Sequence, residues 1–250
     1  MMTSPQPASM LKRVLLPGDP VSLDEAARIA GVTTDAASRT LQHVARQGVV
    51  AQVRRRLWVR TGAAVDPYRL AARITAPYAF AYGSALALNG AGPAERSEVL
   101  VSSPRRFEPF EYQGLAYRHV HPWNADGLVR VTVGPESVWV TCAERTIVDC
   151  VRLPANAGGL GDIMRAVDAL PLRDPDAVLR WVDHYGEATL AARLGFVLES
   201  SGLYDGQRLL RELEARRPLH VVYLEAARRG GRLAPRWNLV VPPYMLPAGE

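Results

Sequence analysis

Residues 22–60, SLDEAARIAGVTTDAASRTLQHVARQGVVAQVRRRLWVR, decide how this chain is read. Ser22 and Glu25 have the spacing of a capping box, in which a hydroxyl and a carboxylate each satisfy an orphan N–H at a helix start. Leu23, Ala26, Ala27 and Ala30 recur behind it at helical spacing, so one face is apolar and packs inward. Gly31 supplies the left-handed residue that stops this helix, and Val32 plugs the corner of a short turn. Thr33 caps a second helix of about three to four turns. In it, Ala37, Leu41 and Val44 face the first helix. Thr34, Asp35, Ser38, Arg39, Gln42 and Arg46 point away. Gly48 ends the helix, and Val49–Val53 and Leu57–Arg60 read as two strands joined through Arg54, Arg55 and Arg56. The order and lengths are those of a winged helix-turn-helix.

That exposed helical face gives the stretch a function. The N-terminal half of such a helix meets base edges in the major groove of duplex DNA. Arg39 could hold guanine through two hydrogen bonds, and Gln42 could do the same for adenine. Thr34 and Ser38 are short donors suited to phosphates or nearby bases, and Arg46 lies further along the same face. Arg54, Arg55 and Arg56 place successive cations on a hairpin tip, a wing that can sit on phosphate or enter a minor groove. A helical pair with a solvated basic turn would look similar residue by residue. Helix and basic hairpin at this separation in one unit favour DNA binding.

Charge placement agrees. The chain has 250 residues, 48% of them hydrophobic, and a formal net charge of +5. This is a globular composition with room for one large or two modest domains. Residues 1–62 hold nine Lys or Arg against four Asp or Glu, whereas residues 63–250 hold twenty-one of each. The whole excess lies in the segment that resembles a DNA reader, the footprint expected when phosphate attraction is delegated to one domain. The expected division is therefore 1–62 for the DNA-binding domain and 63–250 for a larger body.

Ahead of Ser22, Met10, Leu11, Val14 and Leu15 fit a short helix covering the other two. After Asp66-Pro67, a helix through Tyr68–Ile74 is expected as connector, then a helix over Tyr82–Leu88 ended by Asn89-Gly90. Glu98–Ser102, Leu115–Val120, Val129–Val133 and Ser137–Val140 read as strands around Gly and Pro turns, with Arg105-Arg106 in one of them. Thr141 and Glu144 have capping-box spacing for a helix through Ala143–Arg152. Helical patterns follow near Leu160–Ala169, Asp176–His184, Glu187–Ser200 and Gln207–Arg216. Two late strands, His220–Leu224 and Trp237–Val241, are expected to return to the sheet. Together these give an α+β fold: an N-terminal winged helix-turn-helix and a larger mixed domain.

Other chemistries find little support. Cys142 and Cys150 make neither a disulfide framework nor a zinc site and read as small core residues, which suits a cytoplasmic home. No apolar run approaches the ~18–20 residues of a membrane span, and the N-terminus lacks the apolar core of a signal peptide. Ser84 lacks the second glycine of a nucleophile elbow. His119 and His121 share a strand face, but no third metal ligand is placed beside them. Glu144 and Asp149 do not share a helix face well, and Lys12 is the only lysine, against a nuclease needing two acids and a lysine. No phosphate-cradling glycine loop is present. The expectation is a protein without catalytic residues, metal or cofactor.

Several segments carry a family resemblance. Ser84, Ala85, Leu86, Leu88 and Gly90 match a Ser-Ala-Leu-x-Leu-x-Gly segment, and Arg145, Thr146, Ile147, Val148 and Asp149 match an Arg-Thr-aliphatic-aliphatic-Asp helix after a strand. With the winged module in front, and Ala192–Gly202 and Arg236-Trp237-Asn238-Leu239 behind, the chain resembles the antitoxin (AbiEi) of AbiE-type, or type IV, toxin–antitoxin systems. The resemblance implies a cytoplasmic transcriptional repressor that binds operator repeats upstream of its own operon. It also implies a large domain that counteracts a co-encoded nucleotidyltransferase-like toxin. Tyr82-Gly83 stands where many relatives carry a histidine-containing pair, and the tail ends in Pro242-Pro243, which cannot donate to a sheet ladder. The alternative is an ordinary winged-helix regulator whose C-terminal domain senses a ligand or dimerises.

Overall fold

The computed structural model describes residues 19–92, 97–201, 206–224 and 230–245. The helix expected over Met10–Leu15 lies outside them. The chain is a mixed α+β protein. It divides into two compact units, one of Met1–Ala79, Ser97–Asn124 and Arg130–Trp139, the other of Phe80–Arg96, Ala125–Val129 and Val140–Glu250. The boundary expected at residue 62 falls inside the first unit.

The first unit begins with β1 (Val21–Ser22), α1 (Leu23–Ala30), α2 (Thr34–Arg46), β2 (Val50–Arg54) and β3 (Leu57–Arg60). Ser22 Oγ accepts from Glu25 N at 3.2 Å while Glu25 Oε2 accepts from Ser22 N at 2.9 Å, so both halves of the capping box are made. Gly31 adopts φ 63° and returns its N–H to the end of α1; any side chain there would be strained in the left-handed region. Thr33 Oγ1 accepts from Ala36 N and starts α2. Ala26, Ala27 and Ala30 meet Ala37, Leu41 and Val44 in one buried cluster, closed by Val21, Val50 and Trp58. β1, β3 and β2 form a small sheet in that order.

The chain then forms α3 (Pro67–Ala71), which Asp66 caps, and β4 (Ala79–Phe80). The connecting helix is shorter than the apolar pattern suggested. A six-stranded sheet runs β6-β7-β5-β4-β9-β8, with β5 (Glu98–Ser102), β6 (Phe110–Tyr112), β7 (Leu115–Val120), β8 (Leu128–Val133) and β9 (Glu136–Thr141). β5 lies parallel to β7, from Glu98 opposite Ala116 to Ser102 opposite Val120. Val99, Leu100 and Val101 are all buried, so this strand is covered on both faces rather than alternating.

The second unit holds α4 (Tyr82–Leu88), α5 (Ala143–Arg152), α6 (Leu160–Val167), α7 (Pro175–Tyr185), α8 (Ala188–Ser200) and α9 (Gln207–Ala215). α8 is buried on nearly every side, with Leu190, Leu194, Phe196 and Leu198 all inside, as expected of a helix apolar all round. α5 packs on α4, α6, α7 and α8. The expected capping box at its start is not formed. Cys142 occupies the cap position without a side-chain bond. Thr141 Oγ1 instead bonds Thr146 Oγ1 at 2.7 Å, and Glu144 Oε1 accepts from the backbone N–H groups of Arg173 and Asp174. The carboxylate therefore serves the loop before α7. Ser84 and Cys150 are buried core residues, and Cys142 is a half-buried free thiol.

The late strands do not rejoin the large sheet. β10 (Val222–Tyr223), β11 (Arg232–Ala234) and β12 (Leu239–Val241) make a separate sheet ordered β10-β12-β11. β12 satisfies one edge on β10 and the other on β11, leaving Pro242 just beyond the ladder, where its missing donor costs nothing. No helix among the described residues is long and apolar enough to cross a membrane.

Candidate nucleic-acid interface

α2 presents Thr34, Asp35, Arg39, Gln42 and Arg46 to solvent, with Ser38 half-buried, while Ala37, Leu41 and Val44 anchor the opposite face. Thr40 Oγ1 bonds back to Ala36 O at 2.9 Å, which removes one hydroxyl from that exposed face. Arg39 Nε lies 3.4 Å from Asp35 O, a long contact within the helix. Arg39 therefore keeps most of its five donors for a ligand.

The hairpin differs from three equivalent cations on a tip. Gln52 pairs with Trp58 but Arg54 pairs with Leu57, so one extra residue sits in β2 between them. Such a bulge bends a strand and re-aims the side chain beyond it. Arg54 is half-buried, its guanidinium 5.4 Å from the Phe107 ring centroid and 4.9 Å from that of Phe110. Burial lowers its pKa from the ordinary arginine value, and the charge of Glu108 opposes that shift. Its positive charge is held on aromatic faces instead of being presented at the tip. Only Arg55 and Arg56 form the turn, Arg56 with φ 68°. Arg56 Nη2 donates to Asp24 at 2.7 Å, which ties the tip to α1.

Two clefts bring the remaining residues together. One, of about 280 Å³, is lined by Thr34, Ser38 and Gln42 from α2 together with Arg55 and Arg56 from the turn. The other, of about 540 Å³, joins Gln42 and Arg46 to Gln52 and Ala51 on β2. Gln52 lines both, is exposed, and was not singled out from the sequence. Strand alternation could not have found it, since Gln52 lies two residues from buried Val50 and alternation places both on one face.

No family model and no curated protein matches this chain. Among solved structures it is similar to the RV2827C protein from Mycobacterium tuberculosis, whose crystal structure aligns with a TM-score of 0.64 at 20% identity. The alignment covers 96% of this chain and 92% of the other. That likeness is one of fold.

Around the helix pair, an ionic network fixes α1 within the first unit. Glu136 accepts from Arg73 Nη2 at 2.7 Å, from Arg73 Nη1 at 2.9 Å and from Arg69 Nη2 at 2.8 Å. Arg69 also reaches Asp19, and Arg73 Nε lies 3.2 Å from Glu25, the capping carboxylate of α1. The hydrogen bond from Arg73 is the chief reason that Glu136 falls from an ordinary 4.5 to about 2, with Arg69 adding to it and burial opposing it. Because the folded value lies below the unfolded one, this carboxylate stabilises the fold above about pH 4.5 and ceases to do so as pH falls towards about 2. Glu136→Gln should therefore shrink the loss of stability between those values, measured by urea midpoints at pH 6 and pH 3. An unchanged acid limb would mean that the network does not hold the unit together.

His119 and His121 come within 4.4 Å, ring centroid to centroid, and His119 Nε2 donates to the Ser103 carbonyl at 2.8 Å. No group of three His, Cys, Asp or Glu side chains placed to hold a metal occurs among the described residues.

Proposed function

We propose that this chain is a cytoplasmic DNA-binding antitoxin. Its winged helix-turn-helix represses its own operon, and its larger domain counteracts a co-encoded nucleotidyltransferase-like toxin. The observation that carries the DNA half is the cleft where Thr34, Ser38 and Gln42 of α2 face Arg55 and Arg56 of the hairpin turn. A polar helix face beside a basic hairpin suits one duplex contact, with base edges read by the helix and phosphates held by the tip. The antitoxin half rests on the resemblance carried by Ser84–Gly90 and Arg145–Asp149.

Arg39→Ala should cost about 1–3 kcal/mol on the cognate operator and relax discrimination among sequences. Arg55→Ala should weaken all duplexes alike and flatten the salt dependence by about one phosphate contact. Equal loss on cognate and scrambled DNA for Arg39→Ala would remove its base-reading role. For the second half, colony survival is scored with the adjacent open reading frame induced alone and together with this chain. Rescue by the full chain is expected. A harmless neighbour would reduce the reading to an ordinary regulator with a ligand-sensing or dimerising C-terminal domain.

A further inference from the structure

Arg105 and Arg106, which the α2 clefts do not include, belong to the same surface as the hairpin tip. Arg54, Arg55, Arg56, Arg73, Arg105 and Arg106 line one cleft of about 810 Å³ within the first unit, against Asp24, Glu25 and Glu108. The described structure already uses half of those cations. Arg56 is paired with Asp24, Arg73 with Glu25 and Glu136, and Arg54 with two aromatic rings. Arg55, Arg105 and Arg106 are exposed and make no ion pair among the described residues.

The loop that carries the last two is built, not trailing. Ser103 Oγ donates to Pro77 O at 2.7 Å and accepts from Arg105 N at 3.1 Å, while Phe107 is buried behind them. The backbone of this loop is thus fixed where it projects two guanidinium groups beside the turn. Arg118, in the neighbouring strand β7, is different: Glu98 Oε2 accepts from its Nε at 2.7 Å.

Three exposed guanidinium groups lining one cleft, without ion pairs among the described residues, match an anion whose charges are themselves spread out. A point anion would satisfy one of them. A phosphodiester strand carries a charge at every nucleotide and can meet all three. We propose that this cleft seats the backbone of the duplex, with Arg105 and Arg106 holding phosphates next to those held by Arg55. This rests on the DNA-binding reading above and enlarges the interface beyond residues 1–62. These contacts would set register and affinity without reading sequence.

The test is the salt dependence of full-length protein binding to a duplex from its own upstream region and to a scrambled duplex. R105A/R106A should flatten the slope of log K against log salt by about 1.8, or 0.9 per lost phosphate contact. The loss should be equal on both duplexes, so discrimination is kept. R105Q/R106Q should behave the same, and R118A should leave the slope unchanged. An unchanged slope in both double variants, while the unmutated chain binds DNA normally, overturns the proposal and spares the DNA-binding reading. An unmutated chain that binds neither duplex overturns both. Tripolyphosphate binding that R105A/R106A abolishes, with the DNA slope untouched, would reassign the cleft to a free phosphate compound and also overturn it.

Discussion

Asp149→Ala should destabilise the protein by about 3–5 kcal/mol, read as a fall in the urea midpoint. Arg145 and Asp149 lie one turn apart on α5, with side chains only 2% and 4% exposed and Nε 3.3 Å from Oδ2. Arg145 also donates from Nη1 to Asp126 O at 2.6 Å and stacks 4.7 Å above the Trp181 ring. The Tyr185 hydroxyl donates to Asp149 Oδ1 at 2.5 Å. Two charges taken out of water are tolerable only while they compensate each other; removing the carboxylate takes the ionic partner from the buried Arg145 guanidinium. Tyr185→Phe removes one hydrogen bond to a charged acceptor and should cost about 1.5–3 kcal/mol. Joint replacement, Arg145→Met with Asp149→Leu, should recover most of the loss. A single Asp149→Ala variant as stable as the unmutated chain would mean that water reaches this pair.

Trp237→Ala is the second large effect, also about 3–5 kcal/mol. Trp237 is fully buried, and its Nε1 donates to Glu199 Oε2 at 2.5 Å. Its ring lies directly over Gly195 of α8: a Cβ on that glycine would come within 2.1 Å of Trp237 Cζ3. Gly195 is therefore required for the close approach of the ring, and Gly195→Ala should cost about 1–3 kcal/mol through overpacking. The two positions share one space, so their effects should not add. Gly195→Ala should be nearly harmless once Trp237 is Ala, a coupling that thermal or urea unfolding of the four variants would resolve. Additive costs would show that the ring has room elsewhere.

These residues also mark how far the sequence could be read. Segments settled within one turn or one strand were legible. Ser22 and Glu25 form their capping box because both partners lie three residues apart, and distant Arg73 pairs with the carboxylate without displacing the cap. Tyr82–Leu88, Ala143–Arg152, Glu98–Ser102 and Leu115–Val120 form over the expected residues, since periodicity and turn chemistry act locally. Thr141 and Glu144 show the limit. They have the same spacing as Ser22 and Glu25, yet the backbone near Arg173 claims the carboxylate and Thr146 claims the hydroxyl. Spacing says which bonds are possible, and the neighbours brought by folding choose among them.

The candidate interface divides in the same way. The polar face of α2 follows from helical periodicity, so Thr34, Ser38, Gln42 and Arg46 could be placed in advance. Arg54, Arg55 and Arg56 look alike in sequence, but a bulge and two aromatic rings from distant residues set Arg54 apart. By itself the sequence determined an α+β chain, a capped helix pair ahead of a basic hairpin, and the residues of the helix that face solvent. Only the tertiary structure decided which arginines enter ion pairs, that Arg105 and Arg106 share a cleft with Arg55, and that the last strands build their own sheet. The reason is range. Capping, periodicity and turn conformation are energies of adjacent residues, whereas ion pairing, stacking and strand order depend on groups tens of residues apart that only the folded chain brings within reach.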